Sequence, residues 1–240
     1  MKTILLLQIR NTEDPMRLQE VECFRRKLGG PEHYRLGIHS LLYDRITPGL
    51  LGGVDAVMVG GSGDYGCVRN GHAWFHEALD LLLAVVKRGV PLFCSCWGHQ
   101  ALAMALGGEV VQAPENKELG TFSITLTEEG RRDPLFHGLP SPFAAQLGHK
   151  DQVSRLPADA VVLASSERTP VQSYRLAGRP VYATQFHPEL DRTENLERAY
   201  GYAHSYKLSP ESIRELEEAF QESPDTLGIL PRFLKLYVGP

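Results

Sequence analysis

The chain has 240 residues, of which 42% are hydrophobic and 22% are charged, and its formal net charge is −4 at pH 7. This composition is typical of a globular protein with enough apolar side chains to bury a full core. The slightly negative charge gives no reason to expect nucleic acid or an anionic membrane as a partner. Four cysteines in a chain of this length do not indicate a disulfide framework.

The first half of the chain alternates between strand and helix patterns, which predicts a parallel sheet with helices on its faces. The predicted strands cover residues 3 to 9, 35 to 43, 55 to 59 and 91 to 95. The predicted helices cover residues 15 to 28, 73 to 87 and 97 to 106. Gly29 and Gly30 are expected to close the first of these helices.

The second half is richer in strand patterns. Strands are predicted for residues 121 to 127, 143 to 147, 160 to 164, 171 to 176 and 180 to 186, the last two joined by a hairpin turn at Ala177–Arg179. Polar helical patterns follow, and Ser209 with Pro210 indicates a helix start. We therefore expect one domain over residues 1–190 and a helical extension, 191–240, packed on the same domain.

The sequence predicts neither a membrane span nor a signal peptide. No run approaches the roughly 18 apolar residues of a membrane span. The apolar run that begins at Thr3 lacks a small-residue cleavage site and soon meets Glu13 and Asp14, so it is interpreted as a strand and not as a signal peptide. A cytoplasmic protein is the resulting expectation.

Cys96 stands between an apolar strand and a predicted helix. A thiol at such a turn lies where backbone N–H groups and the helix dipole favour its thiolate. Gly98 follows two residues later, and its missing side chain lets another backbone or a substrate approach. The N–H of Trp97 would point at an oxyanion formed on attack by the thiol. The alternative is that Cys96 is a small buried hydrophobe, as most cysteines are.

A metal site is a further interpretation of the same segment. Cys94 and Cys96 are two residues apart in an extended pattern, so their side chains would share a face. No second cysteine pair and no histidine cluster completes a zinc site, and we expect no metal and no cofactor.

A second segment supplies a histidine and a carboxylate. His187 ends an apolar strand, and in an extended segment Glu189 would face the same way and hold one tautomer of the imidazole. Pro188 between them stiffens the turn. Taken singly, the two residues would be a structural histidine and a surface carboxylate. With a cysteine they form the set of groups needed for nucleophilic attack on an acyl carbon.

The third segment is the glycine-rich run Gly60–Gly63, directly after the predicted strand 55 to 59. A phosphate cradle is one interpretation, but the spacing matches neither the dinucleotide-binding motif nor the P-loop. A loop of backbone donors fits better, because this run and Cys96 would both lie at the carboxyl ends of parallel strands, where open sheets bind ligands.

The three segments together resemble the class I, or triad, glutamine amidotransferase family. Gly60–Gly63, Gly89–Gln100 and Gln185–Glu189 occur in the family's order, and the resemblance covers roughly residues 3 to 190. It implies a flavodoxin-like α/β fold with three layers, in which helices flank a mostly parallel open sheet.

The resemblance also implies roles for individual residues. Cys96 would be the nucleophile, His187 the general base and acid, and Glu189 the group that orients the histidine. The oxyanion hole would consist of the N–H groups of Gly61 and Trp97.

Further segments are similar to the GMP-synthetase-like branch of the family. Leu147–Val153 resembles a segment that in this branch touches the backbone of the substrate glutamine, which implies His149 and Asp151 as binding residues. Gln100 would help to hold the glutamine, and Gly98 would leave space for it.

The implied activity is hydrolysis of the γ-amide of glutamine through a thioester on Cys96. No ammonia-consuming domain is recognised in the sequence, so the ammonia would pass to a separate synthetase subunit. A free-standing hydrolase of γ-glutamyl bonds, acting on a γ-glutamyl compound other than glutamine, is the alternative. A catalytically silent binding or regulatory module is a third interpretation, which the intact set of cysteine, histidine and glutamate disfavours.

Overall fold

The computed structural model describes residues 1–29, 33–68, 70–206 and 209–239. Strands β1 to β11 span, in chain order, Lys2–Gln8, Tyr34–Ser40, Ala56–Val59, Leu92–Ser95, Glu109–Gln112, Glu118–Leu126, Phe143–His149, Asp151–Arg155, Ala160–Ser165, Ser173–Leu176 and Val181–Thr184. Helices α1 to α8 span Met16–Lys27, Ala73–Lys87, Trp97–Ala105, Glu128–Arg132, Arg192–Gly201, Ala203–Tyr206, Pro210–Ala219 and Ile229–Tyr237.

One large sheet organises the described residues, with its strands in the order β2-β1-β3-β4-β11-β10-β9-β6-β7. The first five strands in this order are parallel to one another. The sheet then continues with antiparallel neighbours from β11 to β7. The predicted α/β fold, an open and mostly parallel sheet flanked by helices, is confirmed.

The helices cover both faces of this sheet because its central strands are apolar on both faces. Along β1, Leu5 and Leu7 belong to a core cluster that includes side chains of α2 and α3. Ile4 and Leu6, which point the opposite way, belong to a second cluster with side chains of α1 and α8. Two helical layers with the sheet between them give the three layers that were expected.

The segment after residue 190 begins with a well-capped helix and ends in the core. Asp191 and Glu194 form a capping box at the start of α5. In α8, the ring of Phe233 lies 5.5 Å from the ring of Phe93 and 6.0 Å from that of Tyr182. Ser209 caps α7 as predicted. The division of the chain at residue 190 stays a prediction.

Three local differences from the predicted elements have simple causes. The strand predicted for residues 35 to 43 ends at Ser40, because the Asp44 side chain accepts the Ser40 N–H and starts a turn. The small sheet of β5 and β8 was not predicted, since β5 buries only Val110 among its four residues. Of the glycines expected to close the first helix, Gly29 has a φ of 95°, whereas Gly30 lies outside the described residues.

The hairpin between β10 and β11 is confirmed, with Gly178 in the left-handed region at a φ of 68°. As far as the chain is described, no helix is both long and apolar enough to cross a membrane. The same residues contain no group of three or more histidine, cysteine, aspartate or glutamate side chains that could hold a metal ion.

Candidate active site

A cavity of about 220 Å³ lies where β3, β4 and β11 reach their carboxyl ends. Its walls include seven of the nine residues that the sequence singled out: Gly61, Cys96, Trp97, Gln100, His149, Asp151 and His187. The parallel pairing of β4 with both β3 and β11 explains this convergence. Segments far apart in the chain leave the sheet at the same edge.

Cys96 occupies a sharp turn between β4 and α3. Its φ of 52° and ψ of −104° give it a positive φ that, within the described ranges, no other residue except glycine shares. Such a conformation costs about 1–3 kcal/mol and persists only when the surroundings impose it. The Cys96 N–H donates to the carbonyl of Thr184 at 2.8 Å, and the side chain borders the cavity. The turn predicted from the sequence is therefore present, in a strained form.

His187 and Glu189 form a buried pair beside Cys96. The distance between His187 Nδ1 and Glu189 Oε1 is 2.6 Å, and His187 is 4% and Glu189 0% exposed. The two residues come together through a turn, in which the Leu190 N–H donates to the His187 carbonyl, and not through the extended segment that we expected. Pro188 lies inside this turn, which brings the carboxylate back towards the ring.

The charge on each member of this pair stabilises the charge on the other. Burial by itself lowers the pKa of His187, but the charges of Glu189 and then Cys96 raise it, with a net pKa of about 9. Burial raises the pKa of Glu189, yet the charges of His187 and Arg198 hold it well below its usual range. The pair is therefore best described as an imidazolium facing a carboxylate.

The glycine loop after β3 lies against the histidine. A Cβ on Gly61 would come 3.3 Å from Cε1 of His187, so the backbone of Gly61 and the imidazole ring are neighbours. Trp97 is the first residue of α3, and the N–H of a first helical residue has no carbonyl partner within its own helix. Both predicted oxyanion residues thus border the same cavity.

Gln100, His149 and Asp151 form another wall of the cavity. Gln100 Nε2 donates to the Asp151 carbonyl at 2.9 Å and to Gln185 Oε1 at 3.0 Å. His149 Nε2 lies 2.8 Å from Glu118 Oε2, and His149 Nδ1 lies 3.0 Å from the Asp151 carbonyl. These contacts show that Gln100 and His149 are held in place by the protein itself.

The Asp151 carboxylate is the polar group of this wall that has an unpartnered oxygen in the described part of the chain. Its Oδ1 is buried and has no hydrogen-bond partner among the described residues. Burial raises the pKa of Asp151. The charges of Lys150 and His149 and a hydrogen bond from the Val68 backbone partly offset that rise. An unsatisfied buried carboxylate oxygen is costly, which is a reason to expect a donor from a bound molecule.

Gly98 does not line the cavity, so its missing side chain does not leave space for a substrate there, contrary to the expectation from the sequence. A Cβ on Gly98 would lie 2.8 Å from Val59 Cβ and 2.9 Å from the Val59 carbonyl oxygen. The Gly98 N–H also donates to the Gly60 carbonyl at 3.2 Å. Gly98 therefore allows α3 to pack against the end of β3, which is the approach of another backbone and not of a ligand.

We expect Gly98→Ala to destabilise the fold by about 1–3 kcal/mol, because the added methyl group meets the side chain and the carbonyl oxygen of Val59 in a buried strand. Urea denaturation followed by circular dichroism measures this change. Gly228→Ala is the matched control, since no atom lies within 4 Å of a Cβ there, and it should stay within about 0.5 kcal/mol of the wild type. Equal stability of the two variants would contradict the packing assignment.

Among the cavity residues that were not found from the sequence are four with polar side chains: Arg10, Asn195, Arg198 and Tyr202. Arg198 Nη1 lies 3.5 Å from Glu189 Oε1, and Arg198 Nε donates to Gln19 Oε1 at 2.8 Å. Arg10 could have been noticed, because it follows directly on the first strand and so lies at the same sheet edge as the motifs. The other three come from α5 and its C-cap, where no local signal marks them.

Known proteins are similar to this chain over much of its length. Residues 45–200 match the family described as glutamine amidotransferase class-I. The chain is 34% identical over 130 residues to a GMP synthase (glutamine-hydrolyzing) subunit of Methanococcus aeolicus, and the match covers 54% of this chain and 67% of that protein. Matches to this and similar relatives span about two thirds or less of their length.

Solved structures agree with the fold. A glutamine amidotransferase from Thermotoga maritima superposes with a TM-score of 0.76 at 20% identity, covering 100% of this chain and 99% of that one. A putative GMP synthase subunit from Thermoplasma acidophilum gives a TM-score of 0.60 at 26% identity, covering 86% of this chain and 96% of that one. With a family match over well more than half of its length, the chain belongs to the class I glutamine amidotransferase family.

Proposed function

We propose that this amidotransferase hydrolyses the γ-amide of glutamine through a thioester on Cys96. The observation that carries the proposal is the meeting of Cys96, the His187–Glu189 pair and the Gly61 backbone in one cavity. These are the nucleophile, the oriented base and the backbone donor that acyl transfer requires.

The first chemical step is attack on the γ-carbonyl carbon. His187 holds the proton of the thiol, and the Cys96 sulfur forms a bond to this carbon. The carbonyl oxygen becomes an oxyanion, which accepts hydrogen bonds from the N–H groups of Gly61 and Trp97. Glu189 accepts a hydrogen bond from Nδ1–H, so Nε2 of His187 is the atom that exchanges protons with the reactants.

The second step expels ammonia. His187 gives its proton to the departing nitrogen, the C–N bond breaks and a thioester remains on Cys96. A water molecule, deprotonated by His187, then attacks the thioester and releases glutamate. The Cys96 thiolate departs while His187 holds the proton taken from water, so the sulfur, the imidazolium and the carboxylate return to their starting states.

The amino-acid end of glutamine would lie against Asp151. Its unpartnered Oδ1 is suited to accept a hydrogen bond from the α-ammonium group. Gln100 and His149 support this wall through their contacts with the Asp151 carbonyl. Asp151 would then contribute mainly to substrate binding.

We further propose that the ammonia is consumed by a separate synthetase subunit in the cytoplasm. The support is the similarity to relatives named as subunits of a GMP synthase.

The alternative, a free-standing hydrolase of γ-glutamyl compounds, is favoured by one specific observation. Arg198 and Tyr202 from the extension border the cavity and would contact a larger leaving group.

Glutamate release distinguishes these functions. Purified protein is assayed with glutamine and with a γ-glutamyl dipeptide, alone and with any synthetase that copurifies. Turnover of glutamine supports the amidotransferase, and turnover of the peptide alone, under every partner condition, supports the free-standing hydrolase. A silent module predicts no turnover of either substrate and no labelling of Cys96 by a glutamine-analogue electrophile.

A further inference from the structure

Arg10 is a buried cation next to the proposed oxyanion loop. It is 2% exposed and borders the cavity. Strand β1 is paired with β3, with Leu7 opposite Val59, so the residues that follow the two strands are neighbours. Arg10 and the Gly60–Gly61 backbone therefore leave the sheet side by side.

The Arg10 guanidinium is tied to three side chains. Nη2 lies 3.1 Å from Glu20 Oε1, and Nη1 lies 3.5 Å from Asp14 Oδ2 and also donates to the Tyr202 hydroxyl. That hydroxyl donates in turn to Asp14. Burial lowers the pKa of Arg10, but Glu20 and its other partners raise it overall, so the group is permanently charged.

Glu20 presses against the first glycine of the loop. A Cβ on Gly60 would lie 2.5 Å from Glu20 Oε1, which leaves no room for any side chain there. The second carboxylate oxygen of Glu20 accepts from Gln8 Nε2 at 3.1 Å. Glu20 is 0% exposed, so its carboxylate is surrounded by protein.

The second glycine of the loop lies between Arg10 and the histidine. A Cβ on Gly61 would be 3.7 Å from Arg10 Nη2 and 3.3 Å from His187 Cε1. The buried Arg10–Glu20 pair thus lies directly beside the backbone whose N–H is to face the reacting carbonyl.

Stability does not explain the presence of this pair. Desolvation of two fully buried charges cancels much of their attraction, and an apolar pair of similar size is often as stable. The planar fork of arginine, in contrast, fixes its partners in one geometry. A positional role is therefore the more economical explanation.

We propose that Arg10 is a positioning residue of the oxyanion loop, acting with Glu20 to fix the backbone of Gly60 and Gly61. This inference rests on the proposed glutamine hydrolysis, because it assigns the Gly61 N–H to the oxyanion. Tyr202 links the same network to the C-cap of α5, so the extension contributes to the site through Arg10.

The kinetic test compares Arg10→Met, Arg10→Lys and the double variant Arg10→Met/Glu20→Leu in the full chain. Loss of one oxyanion donor typically costs about 10²–10³-fold, so we expect kcat for glutamine to fall roughly 10²-fold in Arg10→Met, with KM unchanged. Arg10→Lys should recover part of this loss. The double variant should unfold at a temperature close to that of the wild type and remain slow.

A second readout separates the loop from the thiol. A diazoketone analogue of glutamine alkylates Cys96 with loss of N2 while its carbonyl oxygen accepts hydrogen bonds in the oxyanion hole, whereas iodoacetamide alkylates the thiolate with loss of iodide and does not need the oxyanion hole. Arg10→Met should slow the first reaction and leave the second unchanged. Arg175→Met is the matched control, because Arg175 also pairs with a buried carboxylate, Asp133, at 2.8 Å but lies outside the cavity. Its kcat should equal that of the wild type.

Several results would overturn the inference. One is a wild-type kcat in the double variant Arg10→Met/Glu20→Leu. Another is equal slowing of both labelling reactions in Arg10→Met. A third is a loss of activity in Arg10→Met that equals its fraction of unfolded protein. Failure of the proposed function is recognised separately. It would be shown by a Cys96→Ala variant that releases glutamate as fast as the wild type. If wild-type turnover is absent, the ratio of the two labelling rates still decides the role of Arg10.

Discussion

Replacing Cys96 by alanine is expected to lower glutamate release from glutamine by a factor on the order of 10⁶, to background. The reason is that the sulfur forms the covalent bond of the thioester, and neither His187 nor the backbone donors can replace it. Coupled detection of glutamate measures the rate, and mass spectrometry of the protein after reaction with the diazoketone analogue should show one added group in the wild type and none in the variant.

Cys94→Ala is the control that distinguishes the two neighbouring cysteines. Cys94 lies in β4 with 0% exposure, and burial raises its pKa well above the usual range, so it is a poor nucleophile. We expect near-normal kcat and a stability loss of about 1 kcal/mol, from a small cavity in the core. Full activity of Cys96→Ala, or loss of activity only in Cys94→Ala, would refute the assignment of the nucleophile.

Replacing Glu189 by glutamine is expected to reduce kcat on the order of 10⁴-fold. Loss of the orienting carboxylate has an effect of this size in hydrolases that use a nucleophile, a histidine and a carboxylate in the same arrangement. The 2.6 Å contact between the carboxylate and Nδ1 of His187 selects the tautomer and stabilises the imidazolium. The variant also leaves Arg198 without its buried counter-charge. Asp133→Asn is a control, because it neutralises a buried carboxylate outside the cavity and should leave kcat unchanged.

The pH dependence of kcat/KM provides an independent test of the role of Glu189. The pKa of folded His187, about 9, lies above its ordinary value of 6.5. The resulting stabilisation is complete below pH 6.5 and is lost as the pH rises through 9. Because protonated His187 must donate to the leaving nitrogen, kcat/KM should decline above about pH 9 in the wild type.

In Glu189→Gln the alkaline decline should move to lower pH by at least about one unit, since the charge that raises the pKa of His187 is gone. The measurement is kcat/KM for glutamine between pH 6 and 10.5, at constant ionic strength. An unchanged alkaline limb in Glu189→Gln would mean that His187 is not the titrating acid.

Much of the fold could be predicted because its signals are local. The continuous apolar runs of β1, β3 and β4 indicate strands buried on both faces, and the helix predicted for residues 73 to 87 has those bounds in the structure. The short strand β5 was not predicted, because a strand with one buried side chain shows no clear alternation of apolar and polar residues.

The groups that meet at the centre of the site could be named from the order of residues along the chain. Cys96, His187 and the glycine loop each follow an apolar strand directly, and parallel strands bring their carboxyl ends to one edge of a sheet. Local patterns were therefore sufficient to predict that these groups would share a cavity.

The way in which these groups are held depends on contacts between distant elements. The contact of Arg10 with Tyr202 joins residues 192 positions apart, and the contact of Arg198 with Glu189 depends on how α5 packs beside the sheet. The turn that returns Glu189 to His187, and the packing of Gly98 on Val59, likewise arise from close contacts in the folded chain. Such contacts require the relative placement of whole helices and strands, which no spacing of residue types along one segment encodes.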